Sequence, residues 1–407
     1  MNTNETRAKR RALDDVTKNK IRSVIAYTAR IVGLMCASGT LIQTFLATLG
    51  FDSSLIYIHT SLLQAASVLT IVICSGWANN GSPIKRSALT MLPTGLMFLL
   101  YIPIAISRSA SITAYLLLAA IGVAQQIGVG LYTVCEYKTP YYIYRIEEYG
   151  TVIAICGIVS SLASLGAGAL VSWLSTKFTF IDVMTVSFAL AALCLFITFL
   201  TTVTQKNLRE EQDKLNEDAP KPKTSLVALL RYPIFSHLIP ANLMRGFATG
   251  VTTVFATMAL DLGYTETLTS AMVSSFSFAS LAACALFALI SKKIPNGITT
   301  LAGSIILAAS PFLLIKGEVL FLVISTVILF GRTLIEYAVP TLLIRLVPVE
   351  IAGSFNAWRM VLHNAGSLIA TTIAAWLPIP VLLVLAAVFQ LLSGISFLIA
   401  ERRLRAN

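Results

Sequence analysis

Nine ionisable side chains stand inside long apolar runs of this chain: Arg30, His59, Glu136, His237, Arg245, Arg332, Glu336, Arg359 and His363. Charge in such a setting is costly, so each is a functional candidate by default. Arg332 and Glu336 lie four residues apart and share one side of a helix. Asn356, Arg359, His363 and Ser367 form a second helical stripe. Four arginines face two glutamates, so if each glutamate neutralises one arginine, two positive charges remain toward the second half of the chain. A guanidinium grips a carboxylate or phosphate through a bidentate fork. An imidazole one turn from Arg359 can change charge near neutral pH. Arg332, Arg359, Asn356 and His363 are therefore candidates for holding an organic anion and for proton coupling. The first half offers Gln43, Gln64, Gln125, Gln126 and Tyr132 instead. Amides both donate and accept, which suits sugars, nucleosides or amide-bearing solutes and helix packing alike. Arg30 with Glu136, and Arg245 with Glu336, fall at similar depths on separate runs and read as two ion pairs. Arg30 also sits close enough to its helix start to reach back to an interface. His59 and His237 lie near run ends, where a structural role is expected.

Other chemistries find less to work with. The six cysteines lie in or beside apolar runs and none forms a CxxC, which points to neither a disulfide framework nor a metal site. No nucleotide-binding loop or dinucleotide fingerprint is present, so no cofactor is expected and ATP-driven work within this chain is excluded. Gly394-Ile395-Ser396-Phe397 is a four-letter match to an intramembrane hydrolase, with His363 as its nearest base, a pattern that Gly- and Ser-rich sequences produce freely. The chain is not read as an enzyme.

The elements that must position these residues are membrane spans. Apolar residues make up 56% of the 407 residues and charged ones 12%, too few to cover a soluble surface. Lipid must be the covering solvent. Runs of about 20 apolar residues suffice to cross a bilayer. They fall at 24–49, 54–78, 87–107, 111–136, 149–174 and 179–204, then at 233–260, 266–291, 297–315, 318–344, 351–376 and 379–400. The net charge of +11 is distributed as topology signals are. With the N-terminus inside, 23 basic residues fall on the inner side and only Arg108, Lys177 and Lys316 outside. No basic face with interleaved aromatics marks a nucleic-acid partner. The expected order is a basic tail 1–22, a six-helix bundle 23–204, a polar linker 205–229, a second bundle 230–400 and a short tail 401–407. Tails and linker are expected in the cytoplasm.

The two halves repeat. Residues 133–145 read TVCEYKTPYYIYR and residues 333–345 read TLIEYAVPTLLIR. Thr133, Glu136, Tyr137, Pro140 and Arg145 recur as Thr333, Glu336, Tyr337, Pro340 and Arg345, and Trp173-Leu174 recurs as Trp376-Leu377. Six spans per half make the repeats parallel, related by an axis along the membrane normal. In this the chain resembles the major facilitator superfamily over nearly its whole length. That family's loop signature between spans two and three is met by Gly76, Lys85 and Arg86, while Asn80 stands where an acid is usual and Pro83 near the second Gly. Span five has Gly157, Gly166 and Gly168 without the proline of drug–proton antiporters.

The resemblance implies an all-α fold of twelve helices around a central cavity, in the cell membrane, working as a monomer. It implies a secondary transporter, symporter or antiporter, moving a small-molecule substrate by alternating access. Spans one, four, seven and ten would line the cavity, and Arg30–Glu136 and Arg245–Glu336 would act as gating pairs. The buried arginines favour an organic anion with proton coupling. A polyspecific drug or lipid exporter of the same fold is the alternative, ahead of a transporter-like sensor or an intramembrane enzyme.

Overall fold

The structure is a computed structural model that describes residues 3–37, 39–74, 82–136, 139–144, 146–208, 233–291, 293–346 and 349–406. Of the loop signature, Gly76 and Asn80 lie outside the described residues, as does nearly all of the expected linker. The first half runs α1 (Thr3–Cys36), α2 (Gly39–Leu49), α3 (Ser53–Cys74), α4 (Pro83–Ser107), α5 (Ile112–Glu136), α6 (Thr139–Ile143), α7 (Ile146–Ser175) and α8 (Phe180–Val203). The second runs α9 (Pro233–Thr253), α10 (Phe255–Asp261), α11 (Glu266–Ile290), α12 (Asn296–Leu307), a short 3-10 turn (Ser310–Leu314), α13 (Glu318–Leu346), α14 (Val349–Ala374) and α15 (Ile379–Ala406). The long helices fall where the apolar runs put them. α1 continues through residue 22 without a break. Among the described residues, ten helices are long and apolar enough to cross a bilayer, and the bent pair α9–α10 makes eleven. The further long helix, α14, carries the Asn356, Arg359, His363, Asn364 and Ser367 stripe that dilutes its apolar character. Leucines and valines such as Leu69, Leu289 and Val319 are more than half exposed, as side chains facing lipid tails are.

The repeat is visible in the packing. In the first half α4 packs on α5 and α8, α1 on α7 and α8, and α3 on α5. In the second, α12 packs on α13 and α15, α9 on α14 and α15, and α11 on α13. Each pair maps onto its counterpart under the repeat. Two seams join the halves, α7 against α11 and α3 against α14, and they too are each other's counterparts. The first span of each half ends in the same motif. Gly50 (φ 99°) and Gly263 (φ 80°) take the left-handed conformation that glycine adopts without steric cost. Around them Gly50 N donates to Ala47 O and Phe51 N to Leu46 O, and likewise Gly263 N to Leu260 O and Tyr264 N to Ala259 O. These are paired Schellman caps.

α1 ends at Cys36 and α2 begins at Gly39, and in the second half α9 parts from α10 at a bend of 47°. The second break has a local cause. Val251, Thr252, Thr253 and Val254 are a β-branched run, stiff at χ1 and weak in helices. The hydroxyls of Thr252 and Thr253 also donate back to the carbonyls of Thr249 and Gly250, at 2.7 and 2.6 Å. Such back-bonding bends helices.

Candidate functional site

On the side of the chain termini, Arg30 of α1 meets α5. Its Nη2 donates to Glu136 Oε1 at 2.7 Å. The guanidinium also lies over the rings of Tyr27 and Tyr132, 5.2 and 4.5 Å from their centroids. Ring quadrupoles attract a cation at such distances. The side chain is 11% exposed, and its contacts hold it in the bundle rather than at an interface.

The second half solves the same problem differently. Glu336 accepts from Arg332 Nε at 2.8 Å, one turn away on α13. Arg332 Nη1 donates to Thr252 Oγ1 of α9, also at 2.8 Å. The cation bonded to Glu336 here is thus its neighbour on the same helix, whereas depth alone pointed to Arg245. Under the repeat, Tyr132 and Arg332 occupy equivalent positions. Where the first half places a ring to cover an arginine from α1, the second places the arginine itself.

Arg245 and Arg359 are buried, 6% and 4% exposed. They sit on helices that approach each other unusually closely. A Cβ on Gly246 would stand 1.9 Å from His363 O, and one on Gly366 would stand 2.1 Å from Leu243 O, so α9 and α14 touch backbone to backbone. Small residues permit such approach in membranes. Arg245, Arg359 and Arg332 all bear electrostatically on His363. His363 Nδ1 is buried and makes no hydrogen bond among the described residues. Asn356, on the same stripe, is half-buried.

The glutamines divide. Gln43 is 2% exposed and its amide bridges the halves on the side away from the termini. Its Nε2 donates to Thr253 O at 2.8 Å, and its Oε1 accepts from Thr257 Oγ1 at 2.9 Å. Thr253 and Thr257 flank the α9–α10 break, so Gln43 occupies a carbonyl at that break. Around it Thr44 Oγ1 donates to Thr269 Oγ1 at 3.0 Å, and Tyr57 Oη donates to Asp261 at 3.0 Å, with Ser53 bonded to the same carboxylate. This far side is closed. Gln125, 4% exposed, and Gln126, half-buried, carry no hydrogen bond among the described residues.

Of the residues at the loop signature, Lys85 is exposed and Arg86 half-buried in the first turns of α4. His59 is 1% exposed with both ring nitrogens lacking a hydrogen bond, deeper than a helix-end position suggested. Ser396 Oγ donates to Leu392 O within its own helix. Sequence reasoning passed over Tyr27, Thr252, Thr257 and Asp261. Tyr27 had a signal, three residues before Arg30 and so on the same helix face.

The model of the Major Facilitator Superfamily matches residues 24–371. No curated protein sequence matches the chain. Among solved structures, the nucleoside transporter NupG is similar at 14% identity with a TM-score of 0.62, covering 94% of this chain and 98% of that one. A point mutant of the same transporter gives 0.66 at the same identity, over 94% and 99% of the two chains. A D-xylose-proton symporter gives 0.64, again at 14% identity, over 94% and 96%. The likeness is one of fold.

Proposed function

This chain belongs to the Major Facilitator Superfamily, and we propose that it is a secondary transporter of a small organic anion, coupled to protons and worked by alternating access. One observation carries the choice of an anion. Arg245, Arg332 and Arg359 stand at membrane depth in the second half against a single carboxylate there, Glu336, which Arg332 already engages. An arginine at mid-bilayer costs about 3 kcal/mol on insertion scales, so a cluster with net positive charge calls for an anion in the working cycle. His363, one turn from Arg359 on α14, is the proton-coupling group in this reading. Solved neighbours named for a nucleoside and for a sugar moved with a proton support a small polar solute. The charge bias of the loops supports a cell-membrane location with both termini cytoplasmic, which makes the closed far side the outer face.

The test is uptake into proteoliposomes under an imposed pH gradient, with carboxylates, polyols and organic cations as solutes. Uptake of a carboxylate that collapses with the gradient is expected. Arg359→Gln and Arg245→Gln should each weaken carboxylate binding about tenfold or more, the loss of one charged hydrogen bond. Undiminished affinity in both variants, or a cation as the best solute, overturns the reading.

A further inference from the structure

Gln125 is 4% exposed as a residue, no hydrogen bond of its carboxamide is found among the described residues, and its polar atoms are not among the fully buried ones left unpaired, so they keep some access from outside the protein. A primary amide carries two donors and two acceptor sites, which here stay open to a partner from outside the protein. Its counterpart in the second half is not left open. The repeat that aligns Glu136 with Glu336 aligns Gln125 with Ser325, whose hydroxyl donates to Leu322 O in its own helix at 3.0 Å. The first half thus places a long, uncommitted amide where the second places a short, satisfied hydroxyl.

Gln125, Tyr132 and Glu136 are spaced by seven and four residues and share one face of α5. Tyr132 and Glu136 on that face hold Arg30, so the face turns toward α1 and not toward lipid. Its height follows from contacts across the seam. A Cβ on Gly130 would lie 3.0 Å from Thr70 and 3.5 Å from Ser67 O. Ser67 Oγ in turn accepts from Asn364 Nδ2 at 3.2 Å. Gly130 is therefore level with the His363–Asn364 step of α14. Gln125, five residues earlier, stands about 7 Å farther toward the closed side at 1.5 Å per residue. Along the helix axis, Gln125 and the His363–Asn364 level of the second half are thus offset by about 7 Å, the length of a short polyol chain.

Resting on the anion reading above, we infer that the substrate has two unlike ends: a carboxylate for Arg245 and Arg359, and a hydroxylated tail for Gln125. The class is a hydroxylated organic acid of about six carbons, not a simple alkyl acid. A site built to bond a substrate hydroxyl discriminates against the analogue that lacks it, because its own buried group is then left unmet.

The experiment measures dissociation constants of purified protein in lipid nanodiscs for three probes: gluconate, hexanoate and sorbitol. Gluconate and hexanoate share chain length and charge and differ in hydroxyls, while sorbitol keeps the hydroxyls and lacks the charge. Gluconate is expected to bind about tenfold or more tighter than hexanoate. In Gln125→Leu that ratio should fall to near one with hexanoate affinity unchanged, which also reports a folded site. Gln125→Asn keeps the amide but shortens it, and should fall between. A ratio that survives in Gln125→Leu, a wild-type ratio near one, or absence of gluconate binding overturns the two-ended substrate. Sorbitol binding as tightly as gluconate instead overturns the anion reading, and the Gln125 variants still decide whether the amide reads hydroxyls.

Discussion

At the scale of single residues, the two carboxylates of the repeat are equivalent in sequence but not in energy. Glu136 joins two helices, and its arginine is 11% exposed between two tyrosine rings. Glu336 bonds to an arginine on its own helix and is 42% exposed. Exposed i,i+4 pairs contribute about 0.3–0.5 kcal/mol, whereas breaking a buried pair costs about 3–5 kcal/mol. Glu136 is itself 34% exposed and the rings remain after its loss, so its cost should lie between these limits. Glu136→Gln is therefore expected to lower stability by about 1–2 kcal/mol, and Glu336→Gln by about 0.5 kcal/mol or less. Thermal unfolding of the two variants in one detergent compares them directly, and equal losses would contradict the asymmetry. The repeat alone could not reveal it. TVCEYKTPYYIYR and TLIEYAVPTLLIR align the acids, but the choice of partner depends on whether a cation stands one turn away. Tyr132 and Arg332 differ at that position, and the local pair forms without any helix having to approach.

At the scale of elements, the arginine cluster depends on how closely α9 and α14 approach. Gly246 and Gly366 set that distance, since a Cβ at either would overlap backbone atoms of the facing helix. Backbone cannot move aside as a side-chain tip can, so Gly246→Ala and Gly366→Ala must push the helices apart. Overpacking of this kind costs about 1–3 kcal/mol or more. It would also separate Arg245 from His363. Gly39→Ala and Gly166→Ala are the controls, because nothing lies within 4 Å of a Cβ at either position. Size-exclusion profiles after graded heating are expected to show early loss for the first two and little change for the controls. Helix positions were legible from hydropathy because lipid demands long apolar runs. The break at Val254 was less so. Its run of β-branched residues is present in the sequence, but hydropathy does not register χ1 stiffness or hydroxyl back-bonding.

At the scale of the whole molecule, the halves meet along two seams and close one side through polar side chains. In sequence Gln43 reads as a candidate substrate ligand, as any buried amide in such a chain does. In this conformation its amide instead ties the first half to Thr253 and Thr257, on either side of the break in the second. That pairing could not be seen in sequence, because it requires knowing which helices interrupt and which faces meet. The alternating access proposed above requires these bonds to break when the far side opens. Gln43→Leu removes both and leaves Thr253 O without this donor only while the side is closed, so it should shift the equilibrium toward opening. The shift can be read at a neighbouring pair, Thr44 and Thr269, whose hydroxyls lie 3.0 Å apart across the same boundary. In a background with the six native cysteines replaced, a Thr44→Cys, Thr269→Cys variant is expected to form a disulfide under mild oxidation and to stop transport until reduced. Adding Gln43→Leu should slow that disulfide severalfold. The loss of each buried neutral hydrogen bond is worth about 1 kcal/mol, a change in population of about fivefold per bond. An unchanged rate of cross-linking would mean that Gln43 follows closure without stabilising it, and its amide would then be free to serve as a substrate contact.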